Sequence, residues 1–153
     1  MLRLSQIVRR YRTHGLAALV SALVLAGCAA LNQLAWAWPS DGPVIAVFDE
    51  SRNKGLDFGG TAGDPVRAAA DGRVVYAGSS LRGYGNMVIL KHDNTYLSAY
   101  AHNRSLLVKE DQLVRRGQKI AEMGSSESDR VKLHFEVRMK GKPVDPAPYL
   151  PAR

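Results

Sequence analysis

Three histidines lie beyond the first thirty residues, His92, His102 and His134, and two of them sit in stretches that alternate polar with apolar side chains. Tyr96, Ser98, Tyr100 and His102 fall on one face of an expected strand, and Lys132 and His134 on one face of another. If those faces meet across a sheet, His102, His134 and an acid such as Asp57 converge. Imidazole and carboxylate are the usual ligands of zinc, so the chemistry on offer is metal binding and metal-assisted hydrolysis. The bland alternative is a set of hydrogen-bonded structural histidines. His92, at the mouth of a hairpin in Lys91-His92-Asp93, reads as structural. Gly83-Tyr84-Gly85 is a turn before a strand; no Lys-Ser/Thr pair follows to make a phosphate loop. Arg115-Arg116 reads as a solvated turn.

The elements that must position these residues are strands. Val44 to Phe48 is a short apolar run after Pro39 and Pro43, and Val74 to Ala77 follows the turn at Asp71-Gly72. Met87 to Lys91 and Tyr96 to Ala101 are joined through Asp93-Asn94, a hairpin signal. Val131 to Met139 places Leu133, Phe135, Val137 and Met139 on one face and Lys132, His134, Glu136 and Arg138 on the other. Leu106 to Ala121 suits short strands better than a helix, and Gly and Pro punctuate the gaps. The expected fold is an all-β, antiparallel domain with a groove lined by polar strand faces.

The chain has 153 residues, 46% of them hydrophobic, and a net charge of +7. That is room for one domain with an adequate core. One Cys excludes an intramolecular disulfide framework and a Cys-based zinc ribbon. Four of the 21 bases lie in residues 1–27, which hold no acid, so the remainder is only +3. The basic balance therefore belongs mostly to the N-terminus and implies no nucleic-acid partner. Arg3 to Arg12 form a positive region, Leu16 to Ala26 run apolar, and Leu25-Ala26-Gly27-Cys28 follows. Eleven apolar residues suit a signal peptide and fall short of the roughly 20 that span a bilayer. The pattern resembles the lipobox of bacterial lipoproteins, which implies cleavage before Cys28, acylation of its thiol and membrane attachment through the lipid. Ala29 after the Cys implies the outer membrane of a diderm bacterium. The expected layout is a signal peptide over 1–27, a lipidated N-terminus and short tether over 28–37, and a folded domain over 38–153, with no wall-binding module ahead of it.

Asn53-Lys54-Gly55-Leu56-Asp57, Asp71 to Gly78, Gly83-Tyr84-Gly85-Asn86, Tyr100-Ala101-His102, Gly117-Gln118-Lys119-Ile120 and Leu133-His134-Phe135-Glu136 occur in order. Together they resemble the LytM domain, the lysostaphin-like fold of zinc endopeptidases that cut peptidoglycan cross-links. Leu81 to Asn86 and the ending Asp145-Pro146 through Tyr149-Leu150-Pro151 resemble NlpD-type lipoproteins within that family. The resemblance implies a His four residues before the metal-binding Asp and a His-x-His pair in the last core strand. This sequence keeps Asp57, His102 and His134 but has Asn53 and Lys132 where two histidines are expected. Two protein ligands are too few for a catalytic zinc, and a Lys ammonium beside the site repels a divalent ion. The degenerate members of the family are non-catalytic activators of murein hydrolases. The resemblance therefore implies no cofactor and no catalytic residue. It implies a partner-binding groove at Asn53, Asp57, His102, Lys132 and His134, with a periplasmic N-acetylmuramoyl-L-alanine amidase as partner, peptidoglycan as a further one, and a role in daughter-cell separation. Lys132 and Arg138 are expected to offer charge to an acidic partner segment. The alternatives are an active zinc endopeptidase and a passive wall-binding lipoprotein.

Overall fold

A computed structural model describes residues Leu34 to Arg153; the signal segment and Cys28 lie outside them. Ten strands follow in chain order: β1 (Val44–Ala46), β2 (Leu56–Gly59), β3 (Pro65–Arg67), β4 (Gly72–Gly78), β5 (Asn86–Lys91), β6 (Tyr96–Leu106), β7 (Leu113–Val114), β8 (Lys119–Met123), β9 (Lys132–Met139) and β10 (Lys142–Val144). All pairings are antiparallel, in the order β1-β2-β9-β6-β5-β4-β7, with β10 beside β9 and the pair β8-β3 joined to β6. Among the described residues the helical content is one 3-10 turn, Ala147–Tyr149. The expected all-β architecture is the one found.

The alternation of β9 carries the fold. Leu133, Phe135 and Val137 are fully buried and meet Leu56 and Phe58 of β2 and Tyr100 of β6. Phe135 touches both Phe58 and Tyr100 at ring-centroid distances of 6.4 and 5.4 Å. Burying a side chain of that size contributes roughly 2–3 kcal/mol. The Tyr100 hydroxyl would be costly in this core without partners; it accepts the Ala69 N–H and shares a hydrogen bond with Ser98 Oγ, both at 2.8 Å. Ser98 Oγ in turn meets His92 Nε2 at 2.7 Å, while His92 Nδ1 meets the Asp71 carbonyl. His92 is structural, as expected.

The turns follow their residues. Asp93 Oδ1 accepts the N–H groups of Thr95 and Tyr96, which closes the β5–β6 hairpin. Lys140 and Gly141, both at positive φ, make the two-residue turn from β9 to β10. Trp36 and Ala37, assigned to the tether on sequence grounds, instead pack on the domain. The Trp36 ring lies edge-on to His92, Tyr96 and Tyr149, and Ala37 N–H donates to the Ala69 carbonyl.

Candidate functional site

The solvent-facing side of β9 and β2 builds the site. Asp57 pairs with His134 and Gly59 with Lys132 across the β2–β9 ladder, so Asp57, Lys132, His134 and Glu136 share one face. On the other flank Ala101 pairs with His134 and Ala99 with Glu136. Their small side chains are buried in a second apolar cluster with Met87, against which Tyr84 and Ile89 pack.

His102 reaches this face by a route that strand alternation does not give. Tyr100 and Ser98 point into the core, and strict alternation would send His102 with them. Its φ of +67° instead marks a bulge, and the pairing registers of β6 shift there against both β5 and β8. The strand leaves β9 at this point and continues with β8 to Leu106, five residues beyond the expected end. The bulge turns the His102 ring to 6.2 Å from that of His134. The sequence-based grouping of Tyr96, Ser98, Tyr100 and His102 on one face is corrected accordingly.

Asn53, Asp57, His102, Lys132 and His134 thus line a single open cleft of about 270 Å³, with Ala46, Arg52, Gly83 and Tyr84. Apart from Arg52, its charges pair off, together with Glu136 and Arg138 of the adjoining pocket. Lys132 Nζ donates to Asp57 Oδ2 at 2.9 Å, and His134 Nδ1 lies 2.6 Å from Asp57 Oδ1. His134 Nε2 lies 3.0 Å from Glu136 Oε1, and Arg138 Nε donates to Glu136 Oε2 at 2.7 Å. The Tyr84 hydroxyl donates to Glu136 Oε1 at 3.1 Å. Asn53 Nδ2 points away, to the Val47 carbonyl at 3.1 Å. The ladder Lys132–Asp57–His134–Glu136–Arg138 alternates in sign along its whole length.

Burial opposes charge on the His134 ring, but hydrogen bonds to two carboxylates overrule it and push its pKa up to about 9. The same contacts hold Asp57 and Glu136 below the usual carboxylate range in spite of their burial. His102 behaves oppositely. Burial, then the neighbouring charges of His134 and Lys132, depress it, so its ring stays neutral with Nδ1 donating to the Ser126 carbonyl at 2.8 Å.

The signs give a pH prediction. His134 binds its proton more tightly folded than unfolded, so its stabilisation is complete below pH 6.5 and lost as pH rises through 9, on the order of 3 kcal/mol. His92 is depressed by burial, so its contribution is present above 6.5 and declines as pH falls below that. Urea unfolding is expected to show maximal stability near pH 6.5, and His134→Gln is expected to remove the alkaline decline.

The second wall is the loop Ser125 to Asp129 on the Gly83–Asn86 turn, and its anchoring contacts were not legible in the sequence. Glu127 Oε2 accepts the N–H groups of Gly83 and Gly85 at 2.6 and 3.2 Å, and Ser126 Oγ accepts that of Asn86 at 3.0 Å and donates to the Asn103 carbonyl. The loop Ser125 to Asp129 is thereby clamped to the Gly83–Asn86 turn beside the cleft and leaves it open. Gly85, at φ +61°, lies so close that an added Cβ would strike the Ser126 carbonyl, whereas Gly83, at φ +90°, faces open space. Gly83→Ala is expected to cost about 1 kcal/mol, for the backbone alone, and Gly85→Ala at least about 1 kcal/mol more. Denaturant titration of both variants checks the difference.

Residues 51–146 match the profile of peptidase family M23. The chain belongs to that family. This M23 chain is 62% identical over 120 residues to a lipoprotein NlpD/LppB homolog of Pseudomonas aeruginosa, a match covering 77% of this chain and 40% of that one. It is 57% identical over 120 residues to the murein hydrolase activator NlpD of Escherichia coli, covering 77% and 32%. The chain thus spans well under half the length of these curated relatives. Among solved structures it resembles a zinc-containing peptidase from Vibrio cholerae, with a TM-score of 0.68 and 33% identity over 72% of this chain and 39% of that one. The LytM-type fold expected from the motifs is therefore shown.

Proposed function

We propose that this M23 chain is a non-catalytic lipoprotein that binds and activates a periplasmic murein amidase, an N-acetylmuramoyl-L-alanine amidase, in support of daughter-cell separation. The observation that carries the reading is Lys132 seated on Asp57. A zinc site needs a free carboxylate and unprotonated imidazoles. Here the carboxylate already holds an ammonium and an imidazolium, both nitrogens of His134 are engaged, and the Asn53 amide is turned to Val47. This donor set does not fit zinc, and no hydrolytic step is derived from it. A cleft shaped for an extended peptide remains a docking surface without its metal. The relative named a murein hydrolase activator supports the same direction.

The geometry changes one element of the expectation. Lys132 and Arg138 are not available to an acidic partner, because Asp57 and Glu136 already hold them. In this reading the partner meets instead Arg52 at the cleft, which makes no ion pair among the described residues, and an adjoining pocket of about 330 Å³ lined by Leu81, Arg82, Met87, Ile89 and Leu97. The chain acts from the periplasmic face of the outer membrane, attached through lipid on Cys28 after removal of residues 1–27. Peptidoglycan is a further ligand of the assembled complex.

The test is a murein release assay with the processed chain, an amidase from the same bacterium, and both together. Release by the pair well above the amidase alone, with none from the chain alone, is the expected result. Lys132→Glu, which sets a third acid against Asp57, should reduce the stimulation about tenfold. Release by the chain alone, abolished by His134→Ala, would establish the zinc endopeptidase instead. No stimulation of any cognate amidase would end the proposal.

A further inference from the structure

The uncompensated charge of the domain is gathered at one end. The β5–β6 hairpin tip is tied to the β9–β10 turn by Lys140 N–H donating to the Thr95 carbonyl. It is tied to the start of β4 by His92 on the Asp71 carbonyl, and Arg73 pairs with both Lys91 of β5 and Leu113 of β7. Asp71 Oδ1 accepts the Arg116 N–H, and Arg73 Nη1 donates to the Asp111 carbonyl. Segments 71–73, 91–95, 109–116 and 139–142 therefore form one continuous strand-end surface. It carries Arg73, Lys91, Lys109, Arg115, Arg116, Lys140 and Lys142 against Asp71, Asp93, Glu110 and Asp111. Seven cations over four acids is +3, the entire excess of the described residues, whose remaining ten bases and ten acids cancel.

All seven cations are exposed. Among the described residues none of them makes an ion pair; the pairs that form lie elsewhere. Leu113, 68% exposed, and Met139, 40% exposed, stand among them. Cations surrounding exposed apolar side chains suit a bilayer surface, where the ammonium and guanidinium groups meet phosphate and the apolar groups meet the acyl boundary.

The same end receives the N-terminal chain. Trp36 is fixed against His92, Tyr96 and Tyr149, and Tyr96 pairs with Met139 at the end of β9. Trp36 lies eight residue steps from Cys28, a reach of at most about 28 Å when fully extended. We infer that this strand-end surface is a bilayer-docking face that takes the phosphate headgroups of anionic phospholipid. The inference rests on the reading of Cys28 as the acylated residue, which brings the bilayer to this end. Docking there points the Asp57–Lys132 cluster, seven residues or about 23 Å further along β9, away from the membrane.

The test uses the chain processed to begin at residue 28 and carrying Cys28→Ser, so that no acyl chain contributes. It is sedimented with vesicles of phosphatidylethanolamine alone or with one-quarter phosphatidylglycerol. Each cation near an anionic surface strengthens binding roughly fivefold, so three net charges predict on the order of 100-fold higher partition onto the anionic vesicles at low salt, falling toward the neutral level in 0.5 M salt. Lys91→Glu with Lys142→Glu should remove the preference, while Arg104→Glu with Arg130→Glu, near the Lys132 end of β9 and with the same change in net charge, should keep most of it. Equal partition onto the two vesicles, equal loss in the two double variants, or capture by murein sacculi without vesicle binding would each overturn the inference. Acylation of Cys28 is decided separately, by the mass of the chain extracted from membranes.

Discussion

The double substitution Asn53→His/Lys132→His is expected to produce a chain that binds one zinc ion. The first change supplies a third ligand beside Asp57 and His134; the second removes the ammonium that sits 2.9 Å from Asp57 Oδ2. Neither alone should suffice. Asn53→His leaves a cation on the carboxylate, and Lys132→His leaves one ligand too few. Binding must also take the proton from His134, whose pKa is pushed up to about 9, so zinc affinity of the double variant should climb between pH 6.5 and 9. The measurements are metal content after dialysis and thermal unfolding with and without chelator. At zinc a hundredfold above its dissociation constant the double variant should gain about 2.7 kcal/mol. For a domain of this size that is on the order of 10 °C, reversed by chelator. Zinc retained by the unsubstituted chain at the same concentration would sink the argument that the charge ladder closes the site.

The second large effect is on stability. Glu136 is 1% exposed and accepts from His134, Arg138 and Tyr84. Glu136→Gln keeps the shape of the side chain and removes its charge. The imidazolium and guanidinium are then left against a neutral amide whose own N–H₂ has no acceptor. Breaking a buried pair in this way costs about 3–5 kcal/mol, enough to lower the midpoint of thermal unfolding by roughly 10–20 °C. Asp41→Asn is the matched control. Asp41 pairs with Arg67, but its side chain is 83% exposed, so less than about 1 kcal/mol is expected. If the two substitutions cost the same, the ladder contributes nothing beyond an ordinary surface pair.

What could be read from the chain, and what could not, divides along a physical line. The period of β9 was legible because its core face, Leu133, Phe135 and Val137, is uninterrupted; the polar face followed from the same alternation. Asp57, His102, Lys132, His134 and Asn53 were all found by motif, and all five line one cleft. The orientation of His102 was not legible, because a bulge is a backbone event that leaves the residue pattern unchanged. Nor was the Lys132–Asp57 pair, which depends on the register of two strands separated by more than 70 residues. Glu136 and Arg138 were visible on the polar face, yet only their 2.7 Å contact shows that they close the ladder. The Glu127 clamp gave no signal, since its donors are backbone N–H groups, which every residue but proline has.

Lys132 also bears on how the cleft responds to its surroundings. A metal ion is acquired after synthesis and can be withdrawn by a chelator or by a host that sequesters it. An ammonium on the polypeptide is acquired at translation and is held as long as the chain is folded. If the cleft holds no metal, as proposed, its shape is indifferent to metal supply. On the proposed function, wall remodelling through this chain would not slow at its own step under zinc starvation, a condition that would disable a relative whose groove is organised around the ion.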